Sequence, residues 1–300
     1  MAEMFRLMAG DALALLPDLP EASMDCIVTS PPYFGRRNRN YGPGVSLGME
    51  PDPDDYIFLL VMIMREVLRV LRAEGTCWLN IADSFLHKEP LGIPWRVAMA
   101  LKRSGWHIRQ ECIWAKPNPL PEPVKDRFVR SHESLFLLTK GPKYFWDHEA
   151  TREQGVTTSA GSDQRDTRLT HEAGGGNGGL NAAKAKMREQ LAEQGFVTRT
   201  RRDVWTIPTQ PGGGHFAVMP EALVEGCILP GCPKDGIVLD PFMGSGTTGA
   251  VAIMHGRRFI GIDQNPSYVD LAGERLAVLA KQVRAVPFQH PALFPGEVSA

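Results

Sequence analysis

Ile237-Val238-Leu239-Asp240-Pro241-Phe242-Met243-Gly244-Ser245-Gly246-Thr247-Thr248-Gly249 decides the fold. It reads as an apolar strand, a glycine turn and the start of a helix. The glycines let a ligand approach the backbone closely, and a helix N-terminus offers unpaired N–H groups. Arg258-Phe259-Ile260-Gly261-Ile262-Asp263 follows as the next strand and ends in an acid. A carboxylate there can take both hydroxyls of a ribose. The unit is half of a nucleoside-binding α/β sheet.

A second stretch lies far upstream. Met24 to Val28 is a short apolar run with β-branched Ile27 and Val28, and it stops at Thr29-Ser30-Pro31-Pro32-Tyr33. It reads as a buried strand. The two prolines fix φ and donate no N–H, so their carbonyls are held and free to accept. Ser30 adds a hydroxyl and Tyr33 a flat ring with a polar tip. Acceptors beside an aromatic plate suit a planar molecule with an amino group on its edge. A Pro-rich turn that merely closes a strand is the plainer alternative.

Composition bounds the rest. A chain of 300 residues, 43% hydrophobic, can bury one large core with or without an insert. The net charge of -1 means that any basic surface is local. The cysteines Cys26, Cys77, Cys112, Cys227 and Cys232 are odd in number and lie mostly in apolar runs, which fits reduced thiols in a cytoplasmic protein. No Cys/His pair complements Cys227 and Cys232, so no metal is expected. No signal segment or membrane span is read.

Residues 4 to 8 form a strand, followed by Gly10-Asp11 and a helical turn from Ala12 to Leu16. Asp11 is placed either to cap that turn or to face a ligand over the sheet edge. Arg36, Arg37 and Arg39 stand in a loop from Phe34 to Gly48, as phosphate contacts or as a solvated basic loop. The spacing of Ile57, Leu60, Val61, Met64, Leu68 and Leu71 predicts a helix over Asp54 to Arg72, stopped by Gly75. A strand from Thr76 to Ile81 follows that helix, and strand-helix-strand at this spacing implies parallel pairing. A helix from Pro94 to Ser104 and strands His107 to Ala115 and Ser134 to Thr139 come next. Between those last two strands, Lys116 to Arg130 is an extended loop with four prolines, made basic by Lys116, Lys125, Arg127 and Arg130. His132 is a candidate base or a structural residue.

From Trp146 to Arg202 the chain is polar, with a glycine patch at Gly174 to Gly179 and one helix, Ala182 to Gln194. It reads as an insert. Order returns at Asp203 to Ile207. Helices are expected at Pro220 to Leu229 and Ser267 to Ala280, with a proline-rich tail beyond Val286. The expected division is 1–145, the insert 146–202, 203–285 and the tail 286–300.

Taken together, the motifs resemble a permuted, beta-class DNA amino-methyltransferase dependent on S-adenosyl-L-methionine. That family places Ser/Asp-Pro-Pro-Tyr near the N-terminus, then a target-recognition region, then Asp-Pro-Phe-x-Gly-x-Gly-Thr-Thr. Here the order is Ser30 to Tyr33, the insert, then Asp240 to Thr248. Gly10-Asp11, Ser131-His132-Glu133, Val204-Trp205, His215-Phe216-Ala217 and Gly261-Ile262-Asp263 with Asn265-Pro266 and Tyr268 also match. The loop Phe34 to Tyr41 is longer and more basic than in relatives, and the Gly174 patch has no counterpart.

The resemblance implies a seven-stranded, mostly parallel α/β sheet with helices on both faces. It implies cofactor contacts from Asp11, Asp240, Phe242, Gly244, Ser245, Gly246, Thr247 and Asp263, and catalysis by Ser30, Pro31, Pro32 and Tyr33. DNA contacts are expected from the three arginines of the Phe34 loop and from Lys116, Lys125, Arg127 and Arg130. Double-stranded DNA is the expected partner, and a cognate restriction endonuclease and a homodimer are further candidates. The expected location is the cytoplasm, on the nucleoid. Ser in place of Asp or Asn before Pro-Pro-Tyr is similar to the cytosine-N4 enzymes, with adenine-N6 as the alternative. A hydroxyl could accept from the amine while adjusting to the ring nitrogen of cytosine.

Rival readings explain less. Gly244-x-Gly246-x-x-Gly249 with Asp263 also fits a dinucleotide-binding dehydrogenase, which leaves Ser30 to Tyr33 without a role. A P-loop lacks its Lys after Gly246, and a C5-cytosine enzyme lacks its Pro-Cys. A non-catalytic DNA-binding module needs neither motif. RNA or protein substrates stay open. The tail Gln289 to Phe294 loosely resembles a sliding-clamp-binding peptide.

Overall fold

A computed structural model describes residues 4–35, 47–154, 198–210 and 219–283. In chain order the main elements are β1 (Phe5–Ala9), α1 (Ala12–Leu15), β2 (Met24–Thr29), α2 (Pro53–Val70), β3 (Leu71–Ile81), β4 (Phe85–Leu86), β5 (Glu89–Pro90), α3 (Ile93–Arg103), β6 (His107–Ala115), β7 (His132–Thr139), β8 (Arg152–Gln154), β9 (Thr198–Thr200), β10 (Val204–Thr206), α4 (Glu221–Gly231), β11 (Ile237–Asp240), α5 (Thr247–Met254), β12 (Arg258–Asp263) and α6 (Pro266–Gln282). The stretches Arg36 to Arg39, Gly174 to Gly179, Ala182 to Gln194, His215 to Ala217 and the tail beyond Val286 lie outside the described residues.

The main sheet runs β1-β12-β11-β2-β3-β7-β6-β10. Only β7 is antiparallel to its neighbours, β3 and β6. The eighth strand beyond the expected seven is β10, three residues paired in parallel with Ile113–Ala115 at the sheet edge. All six residues of β2 are buried. Its period-2 alternation sends Ile27 into the core shared with α1, α2 and α3, and Cys26 and Val28 into the core shared with α4, α5 and α6. A strand between two apolar layers reads as a mostly hydrophobic run; in Met24 to Val28 the exception, Asp25, accepts from Ile237 N at 2.8 Å and pairs with Arg72 at 2.8 Å.

α2 begins where Asp52 accepts from Asp54 N and Pro53 occupies the first turn. Its buried residues Ile57, Leu60, Met64 and Val67 recur at helical spacing. The helix ends at Val70, earlier than the expected Arg72, because Leu71 already pairs with Met24 as the first residue of β3. Gly75 therefore stops no helix. A Cβ there would lie 2.4 Å from Leu71 Cδ1 and 3.0 Å from Asp25 O, so glycine permits the irregular step in register between β2 and β3.

Residues 1–147 with 203–300 form one compact unit and residues 148–202 another. Trp146 belongs to the first: its ring packs 6.2 Å from Trp78 and 6.0 Å from Tyr144, and Asp147 N donates to Pro230 O. Within the second unit β8 and β9 pair antiparallel, with Arg199 and Glu153 at 2.9 Å. Among the described residues, no helix is long and apolar enough to cross a membrane.

Candidate active site

The carboxyl ends of β2, β11 and β12 open onto one cleft of about 1040 Å³, part of it open to solvent. Ser30, Pro31, Pro32 and Tyr33 line it together with Asp11, Asp240, Phe242, Gly244, Ser245, Thr247 and Asp263. Ligands of α/β sheets bind at this edge.

The cofactor side is built from backbone. Gly244 (φ +51°) and Gly246 (φ +77°) take left-handed conformations that a side chain would strain. Gly246 does not line the cleft: a Cβ there would meet Ala272 Cβ at 2.9 Å, so its role is close helix packing. Asp263 Oδ2 accepts from Gly244 N and Oδ1 from Asn265 N, both at 2.8 Å. Each carboxylate oxygen can accept more than one bond, and Asp263 lines the cleft. Burial, partly offset by those two bonds, raises the Asp263 pKa.

Asp240 works from beneath the loop. Its carboxylate accepts from Thr29 Oγ1 (2.6 Å), Thr248 Oγ1 (2.8 Å) and Phe242 N (3.1 Å), tying the residue before Ser30 to the glycine loop and α5. It is 2% exposed. Burial raises its pKa to about 6, against the lowering effect of the three bonds. Asp11 has its side chain on Leu13 N and Ala14 N, the capping alternative, and lines the cleft as well.

The Ser30–Tyr33 side is built from side chains of separate strands. Tyr33 Oη donates to Glu133 Oε2 at 2.7 Å. Asn80 Nδ2 donates to Tyr33 Oη at 2.9 Å and to Glu133 Oε2 at 2.8 Å, and Ser30 Oγ donates to Tyr33 Oη at 3.1 Å. Lys116 Nζ bonds Glu133 Oε1 and lies 4.1 Å from the Trp114 ring centroid. Burial pushes the Glu133 pKa up, but the Lys116 charge and the bonds from Lys116, Tyr33 and Asn80 outweigh it and hold the pKa below 4.5. Tyr56 Oη donates to Pro32 O at 3.0 Å, so that carbonyl is engaged rather than free. A Cβ on Gly48 would lie 2.7 Å from Tyr33 O, which explains a glycine there.

Three residues depart from their expected roles. Lys116, read as a DNA contact, has its ammonium committed to Glu133. Arg127 lies 4.2 Å over the Phe85 ring and pairs with Glu122 at 2.8 Å, and Arg130 bonds Asp83 O. Both brace the proline loop against the β4–β5 hairpin, which Lys88 also joins through Asp126 at 2.7 Å. Among the residues that the loop exposes are Lys125, Leu120 and Phe128, the last 97% exposed. The candidate base His132 is exposed, and the buried residue is its neighbour Glu133. Arg36, Arg37 and Arg39 lie outside the described residues.

Comparison with known proteins agrees with this geometry. The family model described as DNA methylase, of N6 and N4 methyltransferases, matches residues 24–274. The Type II methyltransferase M.Cfr9I of Citrobacter freundii is 38% identical over 90% of this chain and 87% of its own length. M.SmaI of Serratia marcescens is 38% identical over 90% of each chain. Among solved structures, the cytosine-N4-specific PvuII DNA methyltransferase superposes with a TM-score of 0.66 over 94% of this chain and 93% of its own, at 18% identity. An M1.HpyAVI–SAM complex gives 0.55 over 91% of this chain and 100% of its own, at 20% identity. The match of fold, motif order and family model over most of its length makes this chain a member of the N6/N4 DNA methylase family.

Proposed function

We propose that the chain methylates the exocyclic N4 amine of cytosine in double-stranded DNA, with S-adenosyl-L-methionine as donor and the target base turned out of the duplex. The observation that carries this is one continuous cleft lined both by Ser30–Tyr33 and by the Gly244–Thr247 loop with Asp263. The residues suit the donor: Asp263 keeps acceptor sites for two hydroxyls, and the positive-φ glycines admit close approach to the backbone. When bound, S-adenosyl-L-methionine supplies an electrophilic methyl group on a sulfonium.

The remaining work falls to the chain. An exocyclic amine is a poor nucleophile because its lone pair is delocalised into the ring, and it is out of reach inside a duplex. Tyr33 offers a plate for the extruded base. Ser30 Oγ and the Pro31 carbonyl accept the two amine hydrogens, which favours a pyramidal nitrogen with its lone pair toward the methyl. Catalysis is then positioning and hydrogen bonding.

The duplex is met by residues 146–202 as the target-recognition region and by the proline loop through Lys125. The relatives are Type II methyltransferases, and a restriction endonuclease sharing the recognition sequence is the corresponding partner in the cytoplasm. Methylation of mixed-sequence DNA followed by nucleoside mass spectrometry tests the reading. N4-methylcytosine is expected. Methyladenine alone would move the target base to adenine N6, and no modified base would remove the activity.

A further inference from the structure

We propose that Glu133 is a positioning residue that, through Tyr33, holds Ser30 as a hydrogen-bond acceptor toward the cleft; this rests on the amine-methylation reading above. The argument follows the protons. A carboxylate only accepts, so the single hydroxyl proton of Tyr33 is committed to Glu133 Oε2 at 2.7 Å. The phenol oxygen is then left to accept, and it does so from Asn80 Nδ2 at 2.9 Å and from Ser30 Oγ at 3.1 Å. Asn80 cannot be turned over, because its Oδ1 would then face the Glu133 carboxylate that its Nδ2 now meets at 2.8 Å. Ser30 has one proton, and it points at Tyr33.

A serine hydroxyl ordinarily rotates to suit its partner. Here the rotation is removed, and the lone pairs of Ser30 are what it presents to the cleft that it lines. The chain of bonds depends on Glu133 staying ionised, and Lys116 Nζ on its other oxygen secures that. A protonated Glu133 could donate to Tyr33, whose proton would turn onto Ser30 and leave Ser30 to donate toward the cleft. The network also removes the reading in which Ser30 donates to the ring nitrogen of cytosine: that proton is in use.

The test is a double-mutant cycle. Tyr33→Phe keeps the ring and removes the phenol oxygen that joins Glu133 and Asn80 to Ser30. Single-turnover methylation at saturating S-adenosyl-L-methionine should slow about ten- to a hundredfold, the range of a hydrogen bond to a charged group. Cofactor affinity by calorimetry should stay unchanged, which a general loss of structure would not allow. Ser30→Ala should slow transfer by a similar factor, and adding Tyr33→Phe to it should cost nothing more, because Tyr33 acts through Ser30. Glu133→Gln tests the far end of the chain and should behave like Tyr33→Phe in both backgrounds. Losses that multiply between Tyr33→Phe and Ser30→Ala, or a single variant at full rate, would overturn the proposal. A wild-type protein that methylates no DNA amine would instead overturn the reading beneath it, and the proposal with it.

Discussion

Glu133 and Asp240 are buried carboxylates at the same edge of one sheet, each accepting from neutral donors, and their surroundings drive them apart. Around Glu133, burial is outweighed by the Lys116 charge with bonds from Lys116, Tyr33 and Asn80, and the pKa falls below 4.5. Around Asp240 burial wins over Thr29, Thr248 and Phe242 N, and the nearby Asp263 charge adds to it, so the pKa rises to about 6. Neutral donors do not offset the desolvation of a carboxylate at this depth, whereas an ammonium in contact does. The corner around Tyr33 is thereby kept charged, whereas the carboxylate beneath the glycine loop takes up a proton near pH 6.

Removing the cation should have the largest effect. Lys116→Met leaves Glu133 buried without its counter-charge, and unpairing a buried ion pair destabilises by about 3–5 kcal/mol. Urea unfolding at neutral pH measures it. A loss well under 1 kcal/mol would mean that the pair is solvated and the contrast unfounded.

Acidity tests the contrast next. Asp240 holds its proton more tightly folded than unfolded, so its contribution favours folding at low pH and is lost as pH rises from 3.8 to about 6. The difference amounts to about 3 kcal/mol above that range. Asp240→Asn should flatten the fall in stability across this window, at the expense of one acceptor for Thr29 or Thr248. Equal slopes in the two proteins would show that Asp240 does not titrate there. Glu133 has the opposite sign: its stabilisation is present above 4.5 and disappears as the pH drops below it.

Asp263→Ala should weaken S-adenosyl-L-methionine binding by roughly 2–3 kcal/mol through lost charge-assisted bonds. Calorimetry that finds unchanged affinity would remove Asp263 from the site. The smallest effect belongs to the proline loop. Lys125→Ala should lower the salt slope of DNA binding by about 1. Arg127→Ala should leave that slope alone, since its guanidinium is held by Glu122 and Phe85. Equal changes from both would place the two side chains on phosphate together.

Contiguous features were legible in the sequence. The strands around Ile27 and Val238 are legible as short, largely apolar runs, and the glycine loop as a local backbone requirement. The pairing of Tyr33 with Glu133 spans 100 residues, and that of Asn80 with Glu133 spans 53. No periodicity joins such residues, because the sheet order alone brings them together. One signal was present: Lys116 and Glu133 bracket a loop between two strands, and antiparallel pairing that sets Trp114 opposite Glu133 puts Lys116 diagonally beside it on the same face. His132 is the more conspicuous residue in the sequence, but neighbours on a strand point to opposite sides, and the buried one is Glu133. Gly75 misled for a related reason, since its need for space comes from Leu71 and Asp25 rather than from a helix end.

The reversed direction of β7 has a consequence for how such a protein can diversify. Ala115 pairs with His132, and Lys116 N donates to Ser131 O at 2.7 Å, so the proline loop is shut at its base immediately beside the Lys116–Glu133 contact. Whatever the fourteen residues 117–130 do at their tip, the two ends are returned to the same spot. The stretch is a cassette: its length and composition can be exchanged without moving the Lys116–Glu133 pair at its base.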